Sequence, residues 1–266
     1  MAFSAIKRCR ALAGALVRPF RRCKPGYTYS QCGEDVIAAY LLQSVLGIPR
    51  PTYLDIGAHD PCWLSNTYRF YRQGCRGVCV EPDPLLCRKI KRRRPRDVCL
   101  NVGICGASSA QGQSEADFYV MSPRTLNTFS KQEAESYARQ PGYAIEKVIR
   151  LPLASVNDVI HDNFEGSPNF VSLDTEGWDV EIIRTFDFSH YRPEILSVET
   201  TSHVEQTKLE EVFDLMQRAG YLAYADTYVN TLFVEERRFL EATKLEAGLC
   251  RGVQPRKAPS MANCDR

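Results

Sequence analysis

Short apolar runs alternate with stretches of helical periodicity along the first part of the chain. Apolar side chains recur at spacings of three and four from Ser30 to Gly47, which predicts a helix that Pro49 stops. The apolar runs predict strands at 52–56, 77–81 and 98–104, with helices at 65–73 and 84–94 between them. Helices that alternate with short buried strands indicate crossover units around a parallel sheet.

The second half of the chain repeats this alternation after a polar interval. A strand predicted at 116–120 is followed by polar residues 122–147, which lack a strand signal but contain a capping box that predicts a helix from Ser130. Such an excursion is typical of a lid or substrate loop, and equally of a surface insertion without function. The remaining pattern predicts helices at 155–161, 177–186 and 205–219, strands at 169–174 and 194–199, and a closing hairpin of strands 221–225 and 231–235.

Charge is distributed unevenly, although the net charge is only +2. We expect a basic arm at 1–27, one α/β domain at 28–240 and a poorly ordered tail at 241–266. The apolar segment 11–17 of the arm has basic flanks, which is typical of a disordered arm, of a peripheral membrane contact or of a weak signal peptide. The basic run 88–96 predicts a solvated face or a surface for an anionic acceptor or membrane. No aromatic platform accompanies these bases, so no nucleic-acid partner is expected.

The cysteines indicate a reducing compartment. Their number, 11, is odd, and their spacing matches no zinc-binding pattern, so free thiols and a cytoplasmic protein are expected. No apolar run reaches the ~18 residues that a membrane-spanning helix needs. A peripheral membrane contact through the arm is left open.

Acidic residues end four of the predicted strands: Asp55, Glu81, Asp174 and Glu199. The carboxyl ends of parallel strands lie along one edge of the sheet, where ligands bind, although helix capping would also explain acids there. Gly57 follows Asp55, but the glycine-rich fingerprint of dinucleotide sites is absent. An adenosine ligand without a pyrophosphate, such as S-adenosylmethionine, therefore fits better, with Glu81 taking both ribose hydroxyls.

Several short motifs occur in an order that resembles the FkbM family of S-adenosylmethionine-dependent methyltransferases. They are Ser30-Gln31-Cys32-Gly33-Glu34-Asp35, Leu54-Asp55-Ile56-Gly57-Ala58, Leu64-Ser65-Asn66-Thr67, Val80-Glu81-Pro82, Ser172-Leu173-Asp174-Thr175-Glu176-Gly177 and a strand ending in Glu199. The resemblance spans residues 28–235. It implies a Rossmann-like class I methyltransferase fold, a mostly parallel twisted sheet with helices on both faces and an antiparallel C-terminal hairpin. It also implies O-methylation of a hydroxyl on a sugar, glycan or other secondary-metabolite-type acceptor. The loop 59–61, His-Asp-Pro, departs from the smaller, glycine-containing loop of many relatives.

The strand-end positions and the resemblance together give candidate site residues. The candidates for binding the cofactor are Asp55, Gly57, Ala58, Asn66, Thr67, Glu81, Pro82, Asn101 and Asp174. Asp174 or Glu176 is expected to act as the base or substrate anchor, and His59 is an alternative base or else a loop histidine bonded to backbone. No metal site is predicted, although Asp174 and Glu199 would suit magnesium. Asp179 is expected to face solvent.

Two other functions remain open at this point. The first is a catalytically silent module that keeps the fold, possibly in a membrane-associated assembly. The second is a nicotinamide oxidoreductase, which the missing glycines oppose. The sequence names neither the acceptor nor an oligomeric state.

Overall fold

The computed structural model describes residues 28–106, 114–201 and 208–250. The basic arm predicted at 1–27 and the last sixteen residues of the predicted tail, 251–266, lie outside the described residues. Within the described part, no helix is both long and apolar enough to cross a membrane. The cysteines whose side chains the structure describes are free thiols; they are Cys32, Cys62, Cys75, Cys79, Cys87, Cys99 and Cys105.

The described residues form ten strands in two sheets. They are β1 (Tyr53–Ile56), β2 (Gly77–Val80), β3 (Val98–Leu100), β4 (Gly103–Cys105), β5 (Glu115–Ser122), β6 (Ala144–Ser155), β7 (Phe170–Leu173), β8 (Ile195–Glu199), β9 (Tyr221–Asp226) and β10 (Asn230–Glu235). The larger sheet has seven strands in the order β3-β2-β1-β7-β8-β10-β9. Strand β1 pairs in parallel with both β2 and β7, whereas β10 is antiparallel to β8 and β9. Strand order reverses between β1 and β7, and open α/β sheets bind ligands at such a switch point.

Helices cover both faces of the seven-stranded sheet. The helices are Glu34–Ala39, which continues as a π-helical segment Tyr40–Val45, then Tyr68–Arg72, Pro84–Arg93, Lys131–Ala138, Val156–Asn163, Asp179–Thr185, Glu210–Arg218 and Glu236–Cys250. Side chains alternate along β1, so that Leu54 and Ile56 enter one core and Tyr53 enters the core on the other face. The predicted Rossmann-like class I fold with its antiparallel C-terminal hairpin is confirmed.

The polar excursion folds into a second sheet, which the sequence did not predict. The single strand predicted at 98–104 is wrong, because the chain turns at 101–102 and divides it between β3 in the large sheet and β4 in the small one. The absence of a strand from 122–147 is also wrong, because β6 begins at Ala144 and pairs with β5 along its length. Strand β6 is half exposed, so it has no continuous apolar run to reveal it. The helix predicted from Ser130 is confirmed as Lys131–Ala138.

One predicted helix begins later than expected, and one helix, Glu236–Cys250, was not predicted. The expectation of a poorly ordered tail is wrong for residues 241–250, which belong to that helix. The helix predicted at 65–73 begins only at Tyr68. The Asn66 side chain donates to Ser172 and the Thr67 hydroxyl donates to Asp55. The Ser65 hydroxyl accepts from the backbone N–H of Tyr68 at the start of the helix. The helix Glu236–Cys250 starts directly after β10 and extends past residue 240, the expected end of the domain.

Candidate active site at the carboxyl edge of the sheet

The turn after β1 brings the ends of β1, β2 and β7 into close contact. Gly57 has a φ of +81°, and a Cβ on it would lie 1.7 Å from the carbonyl oxygen of Asp174. The backbone N–H groups of Gly57 and Ala58 both donate to the carbonyl of Val80, at 3.0 and 3.1 Å. The approach of the loop after β7 therefore requires a glycine at this position.

The acid of β1 faces the protein interior. Asp55 is buried and accepts a 2.5 Å hydrogen bond from the Thr67 hydroxyl, while the Arg94 guanidinium lies 3.7 Å from its Oδ2. Arg94 also donates to Thr67, and Asn66 donates to Ser172 at 3.1 Å. Burial raises the pKa of Asp55, and Arg94 opposes this effect. As the structure places them, Asp55, Asn66 and Thr67 hold the loop before helix Tyr68–Arg72 against the sheet.

The acid after β2 lies at the mouth of the switch point. Glu81 is buried, and its two carboxylate oxygens accept from the backbone N–H groups of His59 and Asp83, both at 2.7 Å. The Asn101 side chain donates to the carbonyls of Glu81 and Pro82, which fixes this segment. Burial raises the pKa of Glu81 to about 8, although the two N–H groups favour the charged form.

His59 lies on the β2 side of the crevice. It has a left-handed φ of 48°, and its ring centroid lies 6.1 Å from that of Trp63. Burial lowers the pKa of its imidazole, and the charged groups that act on the ring belong to Asp60, Lys89 and Asp83. Because its backbone N–H donates to Glu81, His59 lies beside the candidate adenosine side of the crevice.

The acids after β7 and β8 converge on one point. One carboxylate oxygen each from Asp174, Glu176 and Glu199 lie within 4.8 Å of one another. Burial raises the pKa of Glu199 well above its usual value, and the neighbouring Asp174 carboxylate raises it further. Like charges this close favour a shared proton or a bound cation. The three carboxylates supply the oxygen ligands that a hard divalent cation prefers. The sequence suggested only Asp174 and Glu199 for such a site, and the structure adds Glu176.

The turn that carries Glu176 is held from two sides. The expectation that Asp179 faces solvent is wrong: it is 4% exposed and accepts from the backbone N–H and hydroxyl of Thr175 and from the N–H of Gly177. From the other side, the Thr128 hydroxyl donates to the carbonyl of Glu176 at 2.6 Å. These bonds keep Glu176 at a φ of 54°, a region that side chains other than glycine rarely occupy.

The small sheet closes the site over this turn. Helix Lys131–Ala138 brings the Tyr137 hydroxyl to donate to Glu176 Oε2 at 3.3 Å. A pocket of about 140 Å³ lies between this helix, the turn that follows β7 and the end of β8. Its walls include Tyr137 and the carboxylates of Glu133, Glu176, Asp179 and Glu199. We call it the acidic pocket. Sequence reasoning missed Tyr137 and Glu133, since only the capping box at Ser130 indicated an ordered element there.

The residues present fit S-adenosylmethionine on one side of the switch point and an acceptor on the other. Glu81 offers a buried carboxylate at the end of the second strand, the position that holds ribose hydroxyls in such sheets. The acidic pocket opens beside β7 and β8. Two separate sets of carboxylates thus lie on the two sides of the crevice.

Comparison with solved structures returns methyltransferases at low similarity. A TehB-like S-adenosylmethionine-dependent methyltransferase from Corynebacterium glutamicum is 10% identical with a TM-score of 0.37, covering 86% of this chain and 95% of that one. A precorrin-6y C5,15-methyltransferase from Geobacter metallireducens is 11% identical with a TM-score of 0.41, covering 81% and 93%. An O-methyltransferase from Bacillus cereus is 10% identical with a TM-score of 0.37, covering 86% and 89%. No curated protein sequence matches the chain.

A family model gives a more specific result than these distant structures. The model of the methyltransferase FkbM domain matches residues 55–223, which is more than half of the chain. The matched segment contains both Glu81 and the acid trio. The chain therefore belongs to the FkbM family of S-adenosylmethionine-dependent methyltransferases.

Proposed function

We propose that the protein methylates a hydroxyl oxygen of an acceptor held in the acidic pocket. The observation that carries this proposal is the convergence of Asp174, Glu176 and Glu199 beside the switch point. S-adenosylmethionine supplies, when bound, a methyl group that its positively charged sulfur already activates. The protein therefore has two tasks, which are to align the acceptor oxygen and to remove its proton.

The Asp174–Glu199 pair is the proposed base. A hydroxyl is a weak nucleophile, so it needs an acceptor for its proton as the new carbon–oxygen bond forms. Burial and the Asp174 carboxylate raise the pKa of Glu199, which makes the pair a stronger proton acceptor than an ordinary carboxylate. The hydroxyl proton passes to this pair, while Glu176, fixed by its turn and by Tyr137, anchors the acceptor.

The charge of the pocket restricts the acceptor. Four carboxylates line it, and no Lys, Arg or His is among the described residues of its wall. An anionic acceptor, such as a phosphorylated one, would meet like charge there. The sugar, glycan or secondary-metabolite-type acceptor that we propose is therefore a neutral or cationic one.

Three single variants test this assignment in the full chain. Asp174→Asn, Glu199→Gln and Glu176→Gln should each keep S-adenosylhomocysteine affinity, because Glu81 lies on the other side of the crevice. We expect Asp174→Asn and Glu199→Gln to lower kcat about 100-fold or more, and Glu176→Gln mainly to raise KM for the acceptor. The readout is transfer of labelled methyl to a panel of hydroxylated metabolites.

The matched control is Glu135→Gln, which removes an exposed acid from the same helix that carries Tyr137. It should leave turnover unchanged. Unchanged turnover in folded Asp174→Asn and Glu199→Gln would refute the base assignment, and methyl label on nitrogen or carbon would refute O-methylation. Loss of activity with EDTA, restored by magnesium, would place a cation rather than a proton among the three acids. Cofactor binding without transfer to any acceptor would favour the catalytically silent module.

A further inference from the structure

The outer face of helix Pro84–Arg93 is a dense basic surface without acidic partners. The helix carries five cations, namely Arg88, Lys89, Lys91, Arg92 and Arg93. Four of them are exposed and Lys89 is half-buried. Within the described residues, none of the five forms an ion pair. We call this surface the basic face.

The structure separates these cations from the remaining bases of the run. Arg94, which follows the helix, is fully buried and ion-paired with Asp97 at 2.7 Å. Arg96 donates to the carbonyl of Tyr71 and lies over its ring. Both stabilise the fold, whereas the five helical cations form no ion pair with any acid in the described part of the chain. Unpaired like charges on one helix repel each other, and an anionic partner would relieve that repulsion.

Two exposed apolar side chains lie near the carboxyl edge of the sheet, one in the first turn of the basic helix and one in the loop after β1. Leu85, in the first turn of the helix, is 40% exposed, and Trp63 is 44% exposed. The Trp63 ring contacts that of His59, which lies within electrostatic reach of Lys89. A tryptophan and a leucine beside a set of cations have the composition of surfaces that lie at membrane interfaces.

We propose that the basic face, together with Leu85 and Trp63, docks on an anionic lipid bilayer. The headgroup charge complements the five cations, and the two apolar side chains enter the interfacial layer. Asp83 caps the N-terminus of helix Pro84–Arg93, and its backbone N–H donates to the Glu81 carboxylate. Docking would therefore bring the carboxyl edge of the sheet to the membrane, where a lipid-borne acceptor would be available. This last step rests on the proposed function; the docking does not.

The test is sedimentation of the full chain with vesicles of phosphatidylcholine alone or mixed with phosphatidylserine. The variant Arg88→Gln/Lys91→Gln/Arg92→Gln should bind the mixed vesicles roughly 100-fold more weakly than the wild type. The control variant Lys131→Gln/Arg139→Gln/Lys147→Gln removes the same charge from exposed positions on the small sheet and its helix, and should bind as the wild type does. Unchanged S-adenosylhomocysteine binding shows that both variants are folded.

Two further readouts separate docking from general attraction. Binding should weaken steeply between about 0.1 M and 1 M salt, since the Debye length falls from about 10 Å to about 3 Å. Trp63 emission should shift to shorter wavelength with mixed vesicles, and Trp63→Phe should abolish that shift, because the second tryptophan, Trp178, is half-buried and stacked on Phe129. The proposal is overturned if the wild type ignores mixed vesicles, if both triple variants lose binding equally, if neither does, or if single-stranded RNA displaces the vesicles.

Discussion

Replacing Gly57 with alanine tests the close approach of β1 and β7 on which the crevice depends. The new Cβ would lie 1.7 Å from the carbonyl oxygen of Asp174 and 2.9 Å from its carbonyl carbon. Packed heavy atoms sit about 3.5–4.0 Å apart, so the two strand ends would have to separate by about 2 Å in total. The left-handed φ of +81° adds about 1–2 kcal/mol of strain for any L-residue. We expect a total loss of about 3 kcal/mol or more in the free energy of unfolding.

Gly74→Ala is the matched control. Gly74 has a φ of +90°, but a Cβ on it would meet nothing within 4 Å. The free energy of unfolding of Gly74→Ala should therefore fall only by the backbone strain, about 1–2 kcal/mol. Urea unfolding gives both losses, and methyl transfer by Gly57→Ala should fall on the order of 100-fold, because it displaces the proposed base by about 1 Å. Equal losses of stability in the two variants, with equal turnover, would refute the close approach.

Three more expectations concern buried charges. Glu81 has a pKa of about 8 when folded and 4.5 when unfolded, so its contribution to stability falls as the pH rises between these values. The affinity for S-adenosylhomocysteine should instead rise with pH towards 8, because the ionised carboxylate binds hydroxyls more strongly. Calorimetry across that pH range measures this affinity, and a flat profile would exclude Glu81 from the ribose site. Arg94→Met should cost about 3–5 kcal/mol in urea unfolding because it leaves the buried Asp97 and Asp55 carboxylates without their cation. Adding Asp55→Asn should recover part of that loss, and no recovery would contradict the pairing of Arg94 with Asp55. Asp179→Ala should cost about 1–3 kcal/mol by leaving the bonds of Thr175 unmade, and should lower kcat more than cofactor affinity; an unchanged kcat would show that this turn does not position the acids.

The sequence was sufficient to predict the strands of the large sheet and the acids at their ends. Strands β1, β2, β7 and β8 are short, buried and almost wholly apolar, so each appears as a distinct run bounded by a glycine, proline or acid. The crossover alternation then constrains these ends to one edge. For that reason the positions of Glu81 and Asp174 at the crevice follow from pattern alone.

What the sequence did not reveal depends on contacts between distant segments. Strand β6 alternates charged and half-buried residues, so it forms only because β5 supplies its hydrogen-bonding partner. Arg94 lies within a run of exposed bases, and only the packed structure shows its burial against Asp55. In the sequence, Asp179 has the position of a first helical residue. Its carboxylate accepts a local hydrogen bond from the Thr175 hydroxyl, which hydrophobic periodicity cannot predict.

Calorimetric titration with S-adenosylhomocysteine, in the wild type and in Glu81→Ala, tests the central claim most directly. That claim is that the crevice between β1 and β7 holds the cofactor through the carboxylate after β2. We predict saturable one-site binding by the wild type and binding roughly 100-fold weaker in Glu81→Ala, because the variant loses two charge-assisted hydrogen bonds. Equal affinity in the two proteins, with equal unfolding midpoints, would contradict the claim, as would no binding by the wild type.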